Sequence, residues 1–524
     1  MAPSLARQNV AVTTFDFDAI VIGAGHNGLV CAAYLARAGR RTLLVEARSA
    51  VGGTAASEEF AGAMVNICNC DHMTFRTTPI AEELRLADFG LRYQNLEPSQ
   101  INMAWNGGPA WASSHSLEAT LDSIGRSYPG EVDGYRRYVR DALPAARLIL
   151  QAANEPPTAR GLVARTLKAR GQGAATLMRW SRKSAADIMR HYFRTDALQA
   201  PGLLVGPMVW GISPEFAGSG LGALTYAFRH VSTVGRPVGG SGMVPLSILR
   251  AFEKSGGVLR TDSKVSTITC EGPAVRGVTL TDGTEITAPV VVSACNPHDT
   301  FLHWLRNPPP QASNLVNRWK EIPHADGYES KIDAVLSAAP RVRATAEAGF
   351  DRELATTIAV APSIADMHRG YLAMASGEVL ERPGMIANVP SVDDATLAPA
   401  GQHVLSLEVL YTPYAHPGGW PASNEPNRWL DQFSSLTQPG FRESVREWRA
   451  MTPDLYESDF LLPHGHATSF AGGPLAAFKN PNPELTSYTT AVNGLYLTGA
   501  ATFPGAGVWG ASGRNAAHVV LRRA

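Results

Sequence analysis

A chain of 524 residues exceeds what a single hydrophobic core organises, so two or more domains with room for a large ligand are expected. Lysine plus arginine equal aspartate plus glutamate at 46 each, which excludes a global field for nucleic acid or acidic partners, and a hydrophobic fraction of 45% excludes a disordered chain. Five cysteines, at 31, 68, 70, 270 and 295, show neither a CxxC pair nor zinc-finger spacing, which points to thiols in a reducing cytosol and to no metal.

The first fifteen residues lack the apolar core of a signal peptide, and no run of eighteen uncharged apolar residues could span a bilayer, so a soluble or peripheral protein is expected. Residues Asp16 to Glu46 read as one βαβ unit. Ala19 to Ile22 is apolar on both faces, as a strand buried in a parallel sheet is, and runs directly into Gly23-Ala-Gly25-His-Asn-Gly28. Gly23 suits the tight turn, Gly25 lets the backbone approach a pyrophosphate, and Gly28 lets the next helix pack on the strand. That helix carries Leu29, Ala32, Ala33, Leu35 and Ala36 on its packing side, stops at Gly39, and presents free N–H groups to phosphate at its start. Thr42 to Val45 reads as the second strand. It delivers Glu46 eighteen residues after Gly28, where a carboxylate accepts hydrogen bonds from a ribose diol and disfavours a 2′-phosphate. The Gly52-Gly53 pair just downstream suits either a loop whose backbone follows a cofactor or an ordinary surface turn.

Leu117 to Arg194 reads as mostly helical, with breaks near Pro156, Pro157, Gly171 and Gly173. Between Pro156 and Ala186 stand seven basic residues (Arg160, Arg165, Lys168, Arg170, Arg179, Arg182, Lys183) and no acid, interleaved with Leu162, Val163, Leu167, Leu177, Met178 and Trp180. Two readings fit residues 156–186: a solvated helix face, or an amphipathic segment on an anionic membrane surface. Gly235 to Met243 reads as a loop entering a helix over Val244 to Lys254. Short strands follow at Val258 to Leu259, Val265 to Ile268, Val275 to Leu280 and Glu285 to Ile286, with Asp282-Gly283 as a hairpin turn, and Pro289 to Ala294 reads as another buried strand.

Lys331 lies in Gly327-Tyr-Glu-Ser-Lys331-Ile-Asp-Ala-Val-Leu, a strand that otherwise alternates toward a core. His72, His464 and His466 are candidates for contact with substrate, but their spacing fits no metal motif, and a hydrogen-bonded core or loop histidine is the alternative for each. Near the end, Leu495 to Thr498 reads as a strand and Ser512 to Leu521 as a helix. Gly505, Gly507 and Gly510 match GxGxxG by pattern, yet a proline precedes them and only fourteen residues follow Gly510, which leaves no room for a second nucleotide site.

The blocks GAGHNGLVCAAYLARAGRRTLLVEAR, GRPVGGSGMVPL, VVVSACNP and GLYLTGAATFPGAGVWGASGRNAA, in this order, resemble the FAD-dependent phytoene desaturase-like (carotenoid desaturase) group of the flavin amine oxidase superfamily. The resemblance implies an α/β fold in which a discontinuous Rossmann-type FAD-binding domain (15–95, 232–305 and 485–524) carries an inserted α+β substrate-binding domain (96–231 and 306–484). It implies that Gly23, Gly25 and Gly28 bind the FAD diphosphate and Glu46 the adenosine ribose, and that Arg48 with Gly52 and Gly53 bind the diphosphate and ribityl region. It places backbone groups at Val265 on the adenine, and Gly499 with the loop Pro504, Gly505, Gly507, Val508 and Gly510 beside the isoalloxazine. The helix after Gly510 then points its positive end at the reduced flavin and raises its oxidising power.

A lysine similar to Lys331 holds a water near flavin N5 in amine oxidases; the alternative for Lys331 is a solvent-facing strand edge. His464-Gly-His466 precedes Phe470 to Phe478, where the family closes the substrate cavity. The chain departs from the family at Gly505-Ala506-Gly507, where many carotenoid desaturases have three glycines, and at Trp509, which would narrow the cavity or stack on a substrate. No cysteine lies in this loop, so the FAD is expected to be non-covalent. The implied reaction removes two hydrogens from a small apolar organic substrate, as hydride to N5, with electrons passing to O2 or a quinone. Two rivals are an amine oxidase that forms an imine and a non-catalytic binding protein of the GDP-dissociation-inhibitor kind.

Overall fold

The strand Ala19–Ile22 lies at the middle of a five-stranded sheet of order Leu495–Leu497, Val291–Ser293, Ala19–Ile22, Thr42–Val45, Val258–Arg260, every neighbouring pair parallel. This computed structural model describes residues 15–68, 71–168, 171–350, 354–466 and 481–523; Cys70, Arg170, the stretch Phe470 to Phe478 and the first fourteen residues lie outside them. A parallel strand covered on both faces needs apolar residues at every position, and Ala19, Ile20, Val21 and Ile22 are all buried. Ala19 and Val21 face a layer of three helices, His26–Arg37, Met243–Lys254 and Ala511–Arg523, through Leu29, Val30, Val244, Ile248, Ala516 and Val520. Ile20 and Ile22 face the other way, onto Val265, Val278 and Trp319. That side is covered by a three-stranded antiparallel sheet of Val265–Glu271, Ala274–Leu280 and Glu285–Thr287 and by the helix Ser313–Glu321.

A second sheet has seven strands in the order Val445–Met451, Glu329–Leu336, His403–Leu410, Gly384–Asn388, Ile358–Ala361, Gln100–Ala104, Trp111–Ser113. On one face, Ile332, Ala334, Leu336, Leu405, Leu407 and Val409 pack on Trp429, Leu430 and Phe433 of the helix Glu425–Leu436. A helical layer adjoins it, built around Trp111, Tyr135, Tyr138, Trp180, Tyr192 and Tyr226, whose rings meet edge-on or tilted. The first sheet draws on residues 19–45, 258–260, 291–293 and 495–497 and the second on 100–113 and 329–451, so the chain passes between the two repeatedly. Parallel neighbours require such long crossovers, and lengthening a connection adds little closure entropy.

Three local expectations change. Gly235–Pro237, read as loop, is a short strand paired with Tyr93–Asn95; it lacks alternation because it is held by Arg236, which binds Asp71 at 2.7 Å and donates to Ala355 O and Thr357. Lys331 does not face solvent at an edge: its strand lies between His403–Leu410 and Val445–Met451, and the residue is 2% exposed. The basic stretch forms two helices, Ala159–Lys168 and Ala174–Trp180, with Val163 and Leu167 59% and 72% exposed, whereas Leu177 and Trp180 are buried in the aromatic core and unavailable to a surface. Among the described residues no helix is long and apolar enough to cross a membrane.

Candidate functional site

The turn after the first strand and the helix His26–Arg37 are pressed together: a Cβ on Gly28 would lie 1.9 Å from Gly23 O. At Gly25 the opposite holds, for a Cβ there would meet nothing within 4 Å, and the backbone faces open space. Gly25 caps the helix without a side-chain hydrogen bond and no acid stands in the first turn, so the amide hydrogens there are left for an anion. Glu46 lies beneath this turn, one oxygen accepting from Ala24 N at 2.7 Å and the other from Arg48 N at 2.9 Å; each retains a lone pair for a diol. Gly52 N donates to Ala24 O at 2.8 Å, which lays the Gly52-Gly53 backbone against the glycine turn. Asp262 N and Ser263 N donate to Arg48 O and Glu46 O, and the strand holding Val265 begins directly after them.

Arg48 spreads its guanidinium over the Phe460 ring at 4.1 Å and leaves Nη1 buried without a partner. A buried, unpaired guanidinium nitrogen is costly unless an anion meets it. Replacing Arg48 by Ala removes a charged hydrogen bond of about 1.5–3 kcal/mol, so FAD should bind about 10- to 100-fold more weakly in a fluorescence titration.

The C-terminal blocks reach the same corner. Gly499 N donates to Ser512 Oγ at 3.2 Å, and Ser512 also contacts Thr498 and Thr502. The His26 ring bonds the backbone of Gly507, and burial holds it down at about 4, so it is neutral. Thr74 Oγ1 donates to Val508 O at 2.8 Å. The loop Pro504 to Gly510 is therefore folded onto the first helix, and Ala511–Arg523 starts immediately after it. A Cβ on Gly513 would lie 2.1 Å from Asn27 O, which brings two helix N-termini together. Trp509 is 9% exposed and packs on Leu150, Ala153 and Ala511, with Nε1 unpartnered. Open space at Gly25, two converging helix N-termini, the Glu46 carboxylate and the orphaned Arg48 Nη1 fit the phosphates and ribose of an FAD.

The histidines are dispersed. His72 is buried, with Nδ1 2.9 Å from Tyr93 Oη and Nε2 2.7 Å from Ser241 Oγ; burial pushes it down to about 3, and neither nitrogen is left for a substrate. His464 is stacked on Tyr414 and His324 and bonded to Asp326 at 2.7 Å, with its side chain 41% exposed. His466 stands beside the Tyr328 ring, and burial holds it at about 4.

Lys331 belongs to a buried charge network. Its Nζ donates to Asn66 O at 2.7 Å and to Asp333; Asp333 also accepts from Arg449 at 3.1 Å, and Arg449 pairs with Glu58 at 2.5 Å. The same sheet face carries two acids that the sequence reading passed over. Lys331 pairs in register with Glu408, and Glu329 with Leu410, so Glu329 and Glu408 are diagonal neighbours on that face. Their carboxyls are hydrogen-bonded, and the Cys68 thiol is 3.8 Å from Glu329. Burial, the largest cause for both, pushes each carboxyl well above the ordinary carboxylate range. The available signal was the spacing Glu329-x-Lys331-x-Asp333: charges at period two inside a buried strand mark a charged wall.

Residues 28–320 match the family model described as flavin containing amine oxidoreductase. The chain is 29% identical to mouse (Mus musculus) pyridine nucleotide-disulfide oxidoreductase domain-containing protein 2, over 97% of this chain and 94% of the relative. It is 27% identical to the lycopene-forming phytoene desaturase of Paracoccus sp., over 94% of this chain and 95% of the relative. Putrescine oxidase, solved with putrescine bound, shares the fold at a TM-score of 0.60 with 15% identity, over 97% of this chain and 99% of that one.

Proposed function

Because the chain belongs to the flavin-containing amine oxidoreductase family and is an FAD-dependent oxidoreductase, we propose that it is a dehydrogenase that introduces a carbon–carbon double bond into a small apolar organic substrate. The observation that carries the reading is the corner where two helix N-termini, open space at Gly25 and the unpaired Arg48 Nη1 meet, since it suits a cofactor whose dianionic diphosphate lies at one end and whose redox ring reaches the C-terminal loop. The desaturase form is supported by similarity to a phytoene desaturase over nearly the whole chain. The fold shared with putrescine oxidase keeps amine oxidation as the rival.

Bound FAD supplies a two-electron hydride acceptor. The protein supplies the rest. First-turn amides and Arg48 would hold the diphosphate, Glu46 would orient the ribose, and the loop from Pro504 to Gly510, folded onto the first helix, would keep water from the ring. The helix Ala511–Arg523 starts at that loop, and its positive end would favour added negative charge on a ring bound there, whose electrons would go to O2 or a quinone. The exposed Val163 and Leu167, flanked by Arg160 and Lys168, suit contact with a membrane that dissolves both quinone and substrate.

The test is anaerobic bleaching of the flavin by a panel of polyenes, terpenoids, aromatic metabolites and amines. Bleaching by polyenes or terpenoids is expected. Bleaching by amines alone overturns the desaturase reading, and a colourless protein that takes up no FAD overturns the enzyme.

A further inference from the structure

Removing two hydrogens from neighbouring carbons requires two destinations, and FAD accepts only the hydride. The other hydrogen leaves as a proton, and an apolar substrate cavity holds little water to take it. We propose that the hydrogen-bonded carboxyl pair Glu329–Glu408 is the proton acceptor, taking the second hydrogen from the carbon beside the one that gives up hydride. This rests on the dehydrogenase reading above.

Four observations place the pair. First, Glu329 and Glu408 keep some accessible surface, whereas Lys331 and Asp333 on the same face are closed off, so the pair is the part of this charged wall that a small molecule can reach. Second, the opposite face of those strands, Ile332, Ala334, Leu405, Leu407 and Val409, is packed core, so the carboxyls point toward the cofactor-binding half. Third, Asn66, His72 and Thr74 join the two walls. Asn66 O receives Lys331, its Oδ1 receives Ser241 N, Ser241 Oγ meets His72, and Thr74 holds the loop at Val508. Fourth, the neighbouring ionisable groups are already committed. Lys331 is neutralised by Asp333, and His72 has both nitrogens bonded. The Tyr328 and Tyr456 hydroxyls donate to Val209 O and Ile67 O.

The step balances. One C–H bond breaks toward the oxidised FAD with its electron pair. The neighbouring C–H bond breaks toward the carboxylate of the pair as a proton, and its electrons become the new π bond. The substrate is oxidised by two electrons and FAD is reduced by two, while the pair passes from one shared proton to two. The pair is faced by Lys331 and Asp333 from its own strand, Cys68 from the segment after the strand Ala63–Asn66, Tyr328 from the residue before Glu329, and Tyr456 from the helix Pro453–Phe460. Burial raises both carboxyls, so a proton persists in the pair into neutral pH. The accepting form gains population as pH rises through neutrality, whereas an isolated glutamate is half ionised near pH 4.5 and fully ionised well before neutrality.

The test uses FAD-loaded wild type, Glu329→Gln and Glu408→Gln, with phytoene and limonene as probes under anaerobic stopped flow and dithionite as a reductant that needs no proton acceptor. Each variant should keep its FAD, bleach normally with dithionite, and bleach with the hydrocarbon about 100-fold or more slower at saturation, with half-saturation unchanged and the rise of rate with pH through neutrality abolished. Infrared titration without substrate should show protonated-carboxyl absorption that disappears through neutral pH in wild type, and in each variant a weaker and shifted band from the one carboxyl that remains. No such band, or variants with wild-type rates and pH profile, overturns the proposal. A wild type that neither hydrocarbon bleaches overturns the dehydrogenase reading and the proton acceptor with it.

Discussion

Gly28→Ala yields a protein that no longer retains FAD and unfolds at lower temperature. The added methyl would sit 1.9 Å from Gly23 O and 3.0 Å from the Ala294 Cβ, and the first of these is backbone that no rotamer change can move. The helix His26–Arg37 must lift from the turn. Overpacking of this kind costs about 1–3 kcal/mol and more where backbone is struck. The lift also carries the first-turn amides away from where they would meet the phosphates, so an affinity loss of about 100-fold or more is expected, equivalent to about 2.7 kcal/mol. Gly25→Ala separates the two effects. Its methyl meets no protein atom within 4 Å, so the apo-protein should melt as wild type does while the methyl occupies the space of the diphosphate and FAD is lost. Flavin absorbance per protein and apo-protein melting temperature, measured on both variants, check the pair. A Gly25→Ala protein as yellow as wild type would contradict the assignment of the corner.

Asp333→Ala should be among the most destabilising single changes in the seven-stranded sheet. Asp333 is fully buried and accepts from both Lys331 and Arg449. Its removal leaves Lys331 hydrogen-bonded to Asn66 O among the described residues, and breaking a buried ion pair from one side costs about 3–5 kcal/mol. Arg449 suffers less because Glu58 remains at 2.5 Å. Lys331→Met should cost clearly less than Asp333→Ala, since Asp333 then keeps Arg449. Denaturant unfolding of the two variants checks the order. Equal losses would mean that Arg449 does not compensate Asp333.

The cofactor half was readable in the sequence because its determinants are contiguous and made largely of backbone. The strand Ala19–Ile22, the glycine turn, the helix His26–Arg37 and Glu46 fall within one short stretch, and each residue type reports a requirement that neighbours alone impose. The C-terminal loop was readable by resemblance, but its contacts with His26 and Thr74 were not, because nothing in Gly505 to Gly510 specifies what it folds against. The histidines show the converse failure. His72 looked available to substrate, yet its partners Tyr93 and Ser241 come from distant segments that only folding brings in.

The charged wall lay furthest from view. Lys331 attracted notice alone, and its two alternatives, a water-holding residue or a solvent-facing edge, both omitted Asp333, although Asp333 stands two positions on. The Lys331 contact to Asn66 spans 265 positions and the Glu329 contact to Cys68 spans 261. The sequence by itself determined the cofactor, because a dinucleotide is held by local backbone geometry and one acid at a set spacing. Only the tertiary structure decided which acids are free to take a proton, because burial, strand register and the pairing of Lys331 with Asp333 are properties of surfaces that meet from opposite ends of the chain.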